Sequence, residues 1–379
     1  MPLRNIKVLE LAGLAPAPIC GMILADFGAN VIRVDRVGTD QMDFVANGKR
    51  SIALNLKSPK GVEVFRKLSD KCDVVIDPFR KGVMERLKLG PKDLMSTNRM
   101  LIYARLTGFG QDGPYSRMAG HDINYLSISG LLSLFGRARG KPTPPVNFAA
   151  DFAGGGVPCA LGIVMALYER TQSQMGQVID ASMVEGTAYV GSWIFRSQKS
   201  PLWGQPRGHN ILDSGAHFYE TYETLDGKFM AVGAIEPQFY KIFLEKLDLK
   251  DDDVPQFLDF EANKEKLSKI FKGKTQEEWS KIFDDTDACV TPVLSIHQLL
   301  DHPHNRFQES FAVAEDGTVA PRPSPRLSRT PGKSNYQKKS PALGENSREI
   351  LLEFGFGDQK INEYISSGVV CQNLQKSKL

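Results

Sequence analysis

The first half of the sequence alternates short β-branched runs with longer helical stretches, and this alternation limits the fold more than any other feature. The runs Ala29–Val34 and Asp73–Asp77 are compact and rich in β-branched residues, which is typical of strands covered on both faces. A parallel sheet built from βαβ units is therefore predicted. The predicted strands are Ile6–Leu11, Asn30–Val34, Ser51–Leu56, Asp73–Ile76 and Leu101–Arg105, and the predicted helices are Ala17–Phe27 and Pro59–Lys71.

The pattern changes after residue 105. A hairpin is predicted over Phe218–Val232, because two alternating arms flank the turn Asp226-Gly227. A Gly/Pro-rich connector precedes it at about 185–215. Helices are predicted at about Asp122–Phe135, Phe152–Arg170, Pro237–Lys246, Asn263–Phe283 and Glu345–Phe354, with a short strand at Val178–Asp180.

These elements predict an α/β protein with two domains. A large α/β domain with an open, mostly parallel sheet flanked by helices is expected at 1–200, completed by a C-terminal return at 320–379. A smaller α+β domain is expected at 220–310, with linkers at 201–219 and 311–319.

Composition excludes several function classes. The chain has 47 basic and 44 acidic residues, so its net charge of +3 gives no global field of the kind a nucleic-acid binder carries. Its five cysteines are scattered and form no CxxC pair, which argues against disulfides and structural zinc. The longest apolar stretch, Val157–Tyr168, has 12 residues and is too short for a bilayer span. We therefore expect no nucleic-acid partner and no membrane span.

The usual phosphate-loop, dinucleotide, zinc-protease and hydrolase motifs are absent from the sequence, so acid–base side chains remain as the obvious catalysts. His121 stands just before a predicted helix, where the backbone N–H of Asp122 would stabilise a developing negative charge. The alternative is that Asp122 caps the helix and His121 is a loop residue. Spacing alone leaves both open.

Asp151 lies in an apolar segment, between Phe148–Ala150 and Phe152-Ala153. Burial there would raise the pKa of its carboxyl toward the range useful for proton transfer. The glycines Gly154–Gly156 would let another backbone or a ligand approach closely. The alternative is an N-cap aspartate that opens a core helix, with glycines present for packing.

Other polar residues are weaker candidates. Glu236 ends a predicted strand and precedes Pro237, so it is either a site carboxylate or a helix-start residue. The cations Arg36, Lys57, Arg80 and Arg86 follow predicted strands, where phosphates bind in open α/β sheets, although each could be ordinary surface charge. The group Asp301, His302 and His304 is rejected as a metal site because no further ligand cluster surrounds it.

Several long segments resemble the class III CoA-transferase superfamily. They are Leu9–Cys20, Leu24–Asp35 and Phe79–Arg86, and the resemblance runs from about residue 3 to 357. The segments Gly120–Tyr125, Ala150–Gly156, Gly176–Gly186 and Ala231–Tyr240 look more narrowly like the racemase branch of that superfamily.

The resemblance implies roles for named residues. His121 and Asp151 would transfer protons on opposite faces of an acyl-CoA, and Glu236 would pair with His121 from the partner chain of an interlocked homodimer. The implied CoA contacts are Arg36, Leu54, Asn55, Leu56, Lys57, Arg80, Arg86, Gly120, His121, Asp122, Ile123, Asn124 and Tyr125. Two positions near the implied CoA contacts depart from the pattern: Asn55 replaces an aspartate common in it, and Lys81 stands where many members carry proline.

The implied activity is interconversion of (R)- and (S)-2-methylacyl-CoA through an enolate, in branched-chain fatty acid and bile-acid intermediate metabolism. It needs no metal or redox cofactor, and CoA is part of the substrate. The alternatives are a CoA transferase with Asp151 as nucleophile and a non-catalytic acyl-CoA carrier. His121 and the lack of a polyglycine loop in the smaller domain favour the racemase.

The sequence ends with Ser377, Lys378 and Leu379, the tripeptide that peroxisomal import receptors bind at a free carboxyl terminus. We therefore expect this receptor as a partner and the peroxisome as the location. A mitochondrial pool stays open.

Overall fold

The computed structural model describes residues 1–39, 43–314 and 317–373, and it divides into two compact units. Unit one consists of Met1–Ser129, Val146–Val190 and His304–Leu379, and unit two of Gly130–Pro145 and Gly191–Pro303. The tripeptide Ser377–Leu379 lies outside the described residues.

The elements are numbered in chain order. The strands are β1 (Lys7–Leu11), β2 (Asn30–Arg36), β3 (Arg50–Leu54), β4 (Val74–Asp77), β5 (Ile102–Thr107), β6 (Val178–Ser182), β7 (Tyr219–Glu223), β8 (Phe229–Gly233), β9 (Val290–Pro292), β10 (Phe311–Val313), β11 (Val319–Pro321) and β12 (Val370–Cys371). The helices are α1 (Pro16–Asp26), α2 (Pro59–Ser69), α3 (Val83–Arg86), α4 (Pro91–Met95), α5 (Asp122–Ile128), α6 (Val157–Ser173), α7 (Met183–Val190), α8 (Ser192–Ser197), α9 (Pro237–Lys246), α10 (Phe260–Phe271), α11 (Gln276–Phe283), α12 (Pro303–Phe307), α13 (Ser347–Glu353) and α14 (Asp358–Ser366). A π-helix, called here the π-turn, spans Ala149–Gly156 directly before α6.

Unit one is built on a seven-stranded sheet in the order β12-β3-β2-β1-β4-β5-β6. Every neighbouring pair is parallel except β12 and β3. The sheet is covered on both faces: Leu9 and Ile32 belong to one core cluster, and Val8 and Val31 belong to another. Coverage on both faces explains the β-branched runs of the sequence, and the predicted mostly parallel α/β sheet is confirmed.

Unit two contains an antiparallel sheet in the order β7-β8-β9. The predicted hairpin is confirmed, and Gly227 takes the left-handed φ of 70° that its turn requires. The sheet packs on an aromatic core in which Tyr222 and Phe271 stack at 4.9 Å between ring centroids.

Two predicted helices are shorter than expected. The helix predicted over Asp122–Phe135 ends at Ile128, and Gly130 follows with a φ of 86° that breaks it before a 3-10 turn. The stretch predicted as one helix over Asn263–Phe283 forms two, because Thr275 starts α11 as an N-cap with Glu278 completing a capping box.

The bounds of the two units differ from the predicted domain bounds. The segments 130–145 and 191–219 group with unit two, where the sequence pattern indicated domain one or a linker. Side-chain bonds across these segments explain the grouping. Arg207 donates to the carbonyl of Ser133 at 3.2 Å, and Arg137 forms an ion pair with Glu220.

One helical segment of the described chain, Ala149–Ser173, has the length and composition of a membrane span. This segment consists of the π-turn and α6 together. It is therefore longer than the apolar run Val157–Tyr168 identified in the sequence. Half of its most apolar window is buried, and α6 packs against α1, β5 and β6. These contacts are those of a core helix.

Candidate active site

The predicted CoA-binding positions come together at one edge of the parallel sheet. Arg36 is the last residue of β2 and lies opposite Leu54, the last residue of β3. Arg80 follows β4, and Gly120–Tyr125 lies beyond the end of β5. Because these strands are parallel, their carboxyl ends share an edge, which is where ligands bind in open α/β sheets.

A cavity of ≈ 730 Å³ in unit one is rich in cations. Its lining consists of Pro78, Phe79, Arg80, Lys81, Gly82, Val83, Glu85, Arg86 and Arg117. Glu85 is ion-paired with Arg105, so its charge is compensated and the cavity keeps a net positive lining. Such a surface suits phosphate groups.

Two of these cations were not predicted as phosphate ligands. Lys81 was noted only as a departure from a family pattern, and Arg117 was not considered. Arg117 lies in the connection between β5 and α5, and its carbonyl accepts a 3.0 Å hydrogen bond from Arg80. Its presence in the cavity depends on the path of that connection, which no local pattern in the sequence indicates.

His121 occupies the N-cap position of α5 with an extended backbone, at φ −133° and ψ 178°. Its N–H donates to Oδ1 of Asn124 at 3.1 Å, and its carbonyl accepts from the N–H of Asn124 at 2.8 Å. His121 is exposed. The main chain at the start of α5 is therefore fixed by Asn124, and the alternative in which Asp122 caps the helix is wrong.

Asp122 instead points into unit one. It is 3% exposed, and its Oδ2 accepts hydrogen bonds from the N–H groups of Ala150 at 2.7 Å and Asp151 at 2.8 Å. This contact ties the start of α5 to the π-turn. The sequence indicates a backbone N–H donor or a helix cap at Asp122, and neither role predicts this contact of its side chain with the π-turn.

Asp151 is the third residue of the π-turn, so its predicted alternative role as an N-cap is wrong. Burial raises the pKa of its carboxyl to about 6, and repulsion from Asp122 acts in the same direction. A 3.3 Å hydrogen bond from Nδ2 of Asn147 and the charge of His121 lower this pKa. The predicted rise is confirmed, and the effect of His121 places the two candidate groups within electrostatic reach of each other.

The glycines after Asp151 are required for packing. A Cβ on Gly154 would lie 2.1 Å from Oγ1 of Thr187 in α7, and one on Gly156 would lie 2.9 Å from the carbonyl of Pro16. Close backbone approach was one of the predicted reasons for these glycines. The neighbouring backbone is that of α1 and α7.

Glu236 belongs to unit two and is exposed. It is the N-cap residue of α9, and its carbonyl accepts hydrogen bonds from Phe239 and Tyr240, both at 3.0 Å. Its side chain makes no capping hydrogen bond. The carboxylate is therefore not engaged in starting the helix, and its pairing with His121 stays a prediction.

Within residues 1–39, 43–314 and 317–373, no three His, Cys, Asp or Glu side chains are grouped to hold a metal ion. Asp301, His302 and His304 are thus not assembled with a further ligand.

A half-buried acid with a raised pKa, a histidine whose charge acts on it and a cation-lined cavity at the sheet edge suit proton transfer on an anionic ligand. The chain belongs to CoA-transferase family III, whose model matches residues 3–347. It is 53% identical over 382 residues to the alpha-methylacyl-CoA racemase of Mus musculus and 52% identical over 383 residues to that of Homo sapiens. Both alignments cover 100% of each chain. The crystal structure of a CAIB/BAIF family protein from Brucella suis has the same fold, with a TM-score of 0.77, 24% identity and coverage of 93% of this chain and 99% of that one. The family expected from the sequence is confirmed.

Proposed function

We propose that this chain is a racemase that interconverts (R)- and (S)-2-methylacyl-CoA thioesters. The observation that carries the proposal is the carboxyl of Asp151, whose pKa burial raises to about 6 and on which the charge of His121 also acts. Similarity to racemases over the full chain supports the same reaction.

Inversion at a carbon atom next to a thioester needs two proton-transfer groups. Removal of the α-proton leaves a planar enolate, which can be protonated from either face. One group therefore removes the proton from one face while the other delivers a proton to the opposite face, and the roles exchange for the other enantiomer. A carboxyl with a pKa of about 6 can hold or release a proton near neutral pH, and so can an imidazole.

The developing enolate oxygen needs a hydrogen-bond donor. The backbone N–H of Asp122 is at the first position of α5, where no intrahelical acceptor exists. We assign the thioester oxygen to this N–H, an interaction of a type worth about 3–4 kcal/mol in the transition state.

The CoA portion would bind along the sheet edge. Arg36 ends β2, and the Leu54–Lys57 segment begins with the last residue of β3. The cavity after β4 offers Arg80, Lys81 and Arg86 to the phosphates. Arg117 adds a fourth cation. Binding through this edge directs the acyl end toward Gly120–Tyr125 in the proposed complex.

A homodimer is part of the proposal. One face of α6 exposes Val157, Leu161, Val164, Met165 and Tyr168 to solvent at fractions between 42% and 69%. Their spacing places them on a single helical stripe, which a second copy of the chain would bury. Leu161→Lys should shift the mass in light scattering toward the 42.0 kDa monomer, while Leu225→Lys, at an exposed residue of unit two, should not.

Glu236 would act from the partner chain of this dimer. Mixing His121→Ala with Glu236→Gln subunits tests this directly. If Glu236 acts in trans, a mixed dimer contains one intact site and regains activity, whereas a site built within one chain leaves every site of the mixed dimer defective.

The proposed location is the peroxisome, and the proposed substrates are branched fatty acyl-CoAs and bile-acid intermediates. The location rests on Ser377–Leu379, and fluorescence of a fusion protein with and without this tripeptide tests it. Competition among several acyl-CoAs tests the substrate range.

Incubation of one enantiomer of a 2-methylacyl-CoA in deuterated water tests the activity itself. A racemase forms the other enantiomer and incorporates deuterium at the α-carbon without an acceptor acid. Exchange of CoA that depends on an acceptor acid would instead support a transferase with Asp151 as nucleophile. Binding without exchange would indicate an acyl-CoA carrier.

A further inference from the structure

The side chain of Asp122 joins two segments of unit one that are far apart in the sequence. Its Oδ2 accepts hydrogen bonds from the backbone N–H groups of Ala150 and Asp151, at 2.7 and 2.8 Å. Asp122 also follows His121 directly, as the first residue of α5. A single carboxylate therefore fixes the main chain of Asp151 relative to that of His121.

The two hydrogen bonds do not by themselves explain why this side chain carries a negative charge. Oδ1 of Asp122 is buried and has no hydrogen-bond partner among the described residues. A buried polar oxygen without a partner is destabilising, and a neutral asparagine could accept the same two hydrogen bonds through its carbonyl oxygen. The hydrogen bonds therefore account for a polar side chain at this position, but not for its charge.

Resting on the function proposed above, we propose that Asp122 is a positioning residue for α-proton transfer. Its Oδ2 holds the peptide of Asp151 in place, and its fixed negative charge acts on the carboxyl of Asp151. Repulsion between the two carboxylates makes ionisation of Asp151 less favourable, which is the direction in which Asp122 shifts the pKa of Asp151. The charge thus helps Asp151 to carry the proton that it must deliver in one direction of the reaction.

Few other groups act on Asp151. Asn147 and His121 lower its pKa, while burial and, second to it, the charge of Asp151 raise the pKa of Tyr125. The elements packed against the π-turn are α1, α5, α6, α7, β5 and β6. Their remaining titratable groups are Cys20, Asp26, Tyr103, Arg105, Cys159, Tyr168, Glu169, Arg170, Asp180 and Glu185, with Tyr189 at the end of α7, and none of these shifts the pKa of Asp151.

Two substitutions separate the geometric and electrostatic roles of Asp122. Asp122→Ala removes both hydrogen bonds and should lower kcat about 100-fold, since small displacements of a catalytic group have effects of that size. Asp122→Asn keeps an acceptor but removes the charge, so its kcat should be at least about tenfold above that of the alanine variant. For the enantiomer from which Asp151 removes the α-proton, the acidic limb of the kcat/KM profile should move to lower pH, because the pKa of Asp151 falls without the repulsion.

The matched control is Asp26→Asn. Asp26 is another buried carboxylate of unit one, and it accepts hydrogen bonds from the N–H and Nδ2 of Asn335 at 3.3 and 2.9 Å. Asp26 lies at the end of α1, and neither of these hydrogen bonds involves the π-turn residues Ala150 or Asp151. Its substitution should leave the acidic limb where it is, even if it lowers the melting temperature.

Carbon NMR of protein with labelled aspartate carboxyl groups follows the titration of Asp151 directly, so this test does not depend on the reaction. The Asp151 signal, assigned by its loss in Asp151→Asn, should titrate at lower pH in Asp122→Asn than in the unsubstituted protein. If the unsubstituted protein fails to exchange the α-proton, the proposed function is wrong, and the titration still tests the role of Asp122. An unchanged Asp151 titration in Asp122→Asn, or an equal loss of kcat in the asparagine and alanine variants, would overturn the proposal.

Discussion

Nδ2 of Asn147 donates a 3.3 Å hydrogen bond to Oδ2 of Asp151. The bond stabilises the ionised carboxylate and so lowers the pKa of Asp151, while burial and Asp122 raise it. The proton affinity of this carboxyl is therefore a balance between groups that can be changed one at a time.

Asn147→Ala should raise the pKa of Asp151 above about 6. A raised pKa means that ionised Asp151 persists only at higher pH. For the enantiomer that Asp151 deprotonates, the acidic limb of the kcat/KM profile should therefore move to higher pH, opposite to the shift expected for Asp122→Asn. The measurement is the pH dependence of α-proton exchange. If the acidic limbs of Asn147→Ala and Asp122→Asn moved in the same direction, the result would contradict this balance.

Gly154→Ala should destabilise unit one, because its Cβ would lie 2.1 Å from Oγ1 and 2.7 Å from the backbone N of Thr187. Overpacking of this kind has an unfolding cost of about 1–3 kcal/mol. Urea denaturation gives the value. The control is Gly162→Ala in α6, where the nearest atom to the added Cβ is Cγ2 of Ile179 at 3.5 Å. That variant should be neutral or more stable by up to about 1 kcal/mol, since alanine favours helix. Equal effects of the two variants would refute the packing role.

Lys49→Met should destabilise the protein strongly. Nζ of Lys49 lies 2.8 Å from Oε1 of Glu10, and both side chains are fully buried. Above the folded-state pKa of Glu10, about 7, loss of one partner leaves a buried carboxylate unpaired, which has a cost of about 3–5 kcal/mol. The exposed pair of Lys67 with Glu63 provides the control, because Lys67→Met should change the unfolding free energy by less than about 1 kcal/mol. A loss below 1 kcal/mol for Lys49→Met would contradict the expectation.

The carboxyl group of Glu10 should also make the free energy of unfolding depend on pH. Burial raises the pKa of Glu10 in the folded state from 4.5 to about 7. A carboxyl with a raised folded-state pKa contributes its stability fully below the unfolded pKa and loses it as pH rises through the folded pKa. The Glu10 contribution should therefore decline between about pH 4.5 and 7. Comparison of urea unfolding for the unsubstituted protein and Glu10→Gln across this range isolates it, and a contribution that grows with pH would contradict the sign.

Arg117→Ala should weaken binding of CoA thioesters while leaving kcat nearly unchanged. A lost charge-assisted hydrogen bond to phosphate weakens binding by about 1.5–3 kcal/mol, which corresponds to roughly a tenfold or greater increase in Kd. Titration with CoA at two salt concentrations measures it. Arg99→Ala is the control, because Arg99 precedes β5 at the opposite edge of the sheet. Equal affinity of the two variants would exclude Arg117 from the phosphate site.

The sheet and the hairpin could be predicted because their signals are local. Compact β-branched runs such as Asp73–Asp77 indicate strands covered on both faces, and Pro237 marks the start of α9 where the structure has it. The end of α5 was missed because its helix pattern continues beyond Ile128, and only the positive φ of Gly130 ends it.

The site was predicted in part. The apolar neighbours of Asp151 indicated its raised pKa, since they are adjacent in sequence. The hydrogen bonds of Asp122 to Ala150 and Asp151 span 28 and 29 residues, and the entry of Arg117 into the cation-lined cavity depends on a turn-rich connection. Contacts of this kind arise from tertiary packing, and no local periodicity encodes them.

The most direct test of two-sided proton transfer measures inversion of the substrate by variants in which either His121 or Asp151 is replaced. His121→Ala and Asp151→Asn are each incubated with one enantiomer of a 2-methylacyl-CoA in deuterated water, and both inversion and deuterium at the α-carbon are followed by NMR. The account predicts that each variant loses inversion by orders of magnitude while still binding CoA. Inversion at the unsubstituted rate in either variant would contradict it.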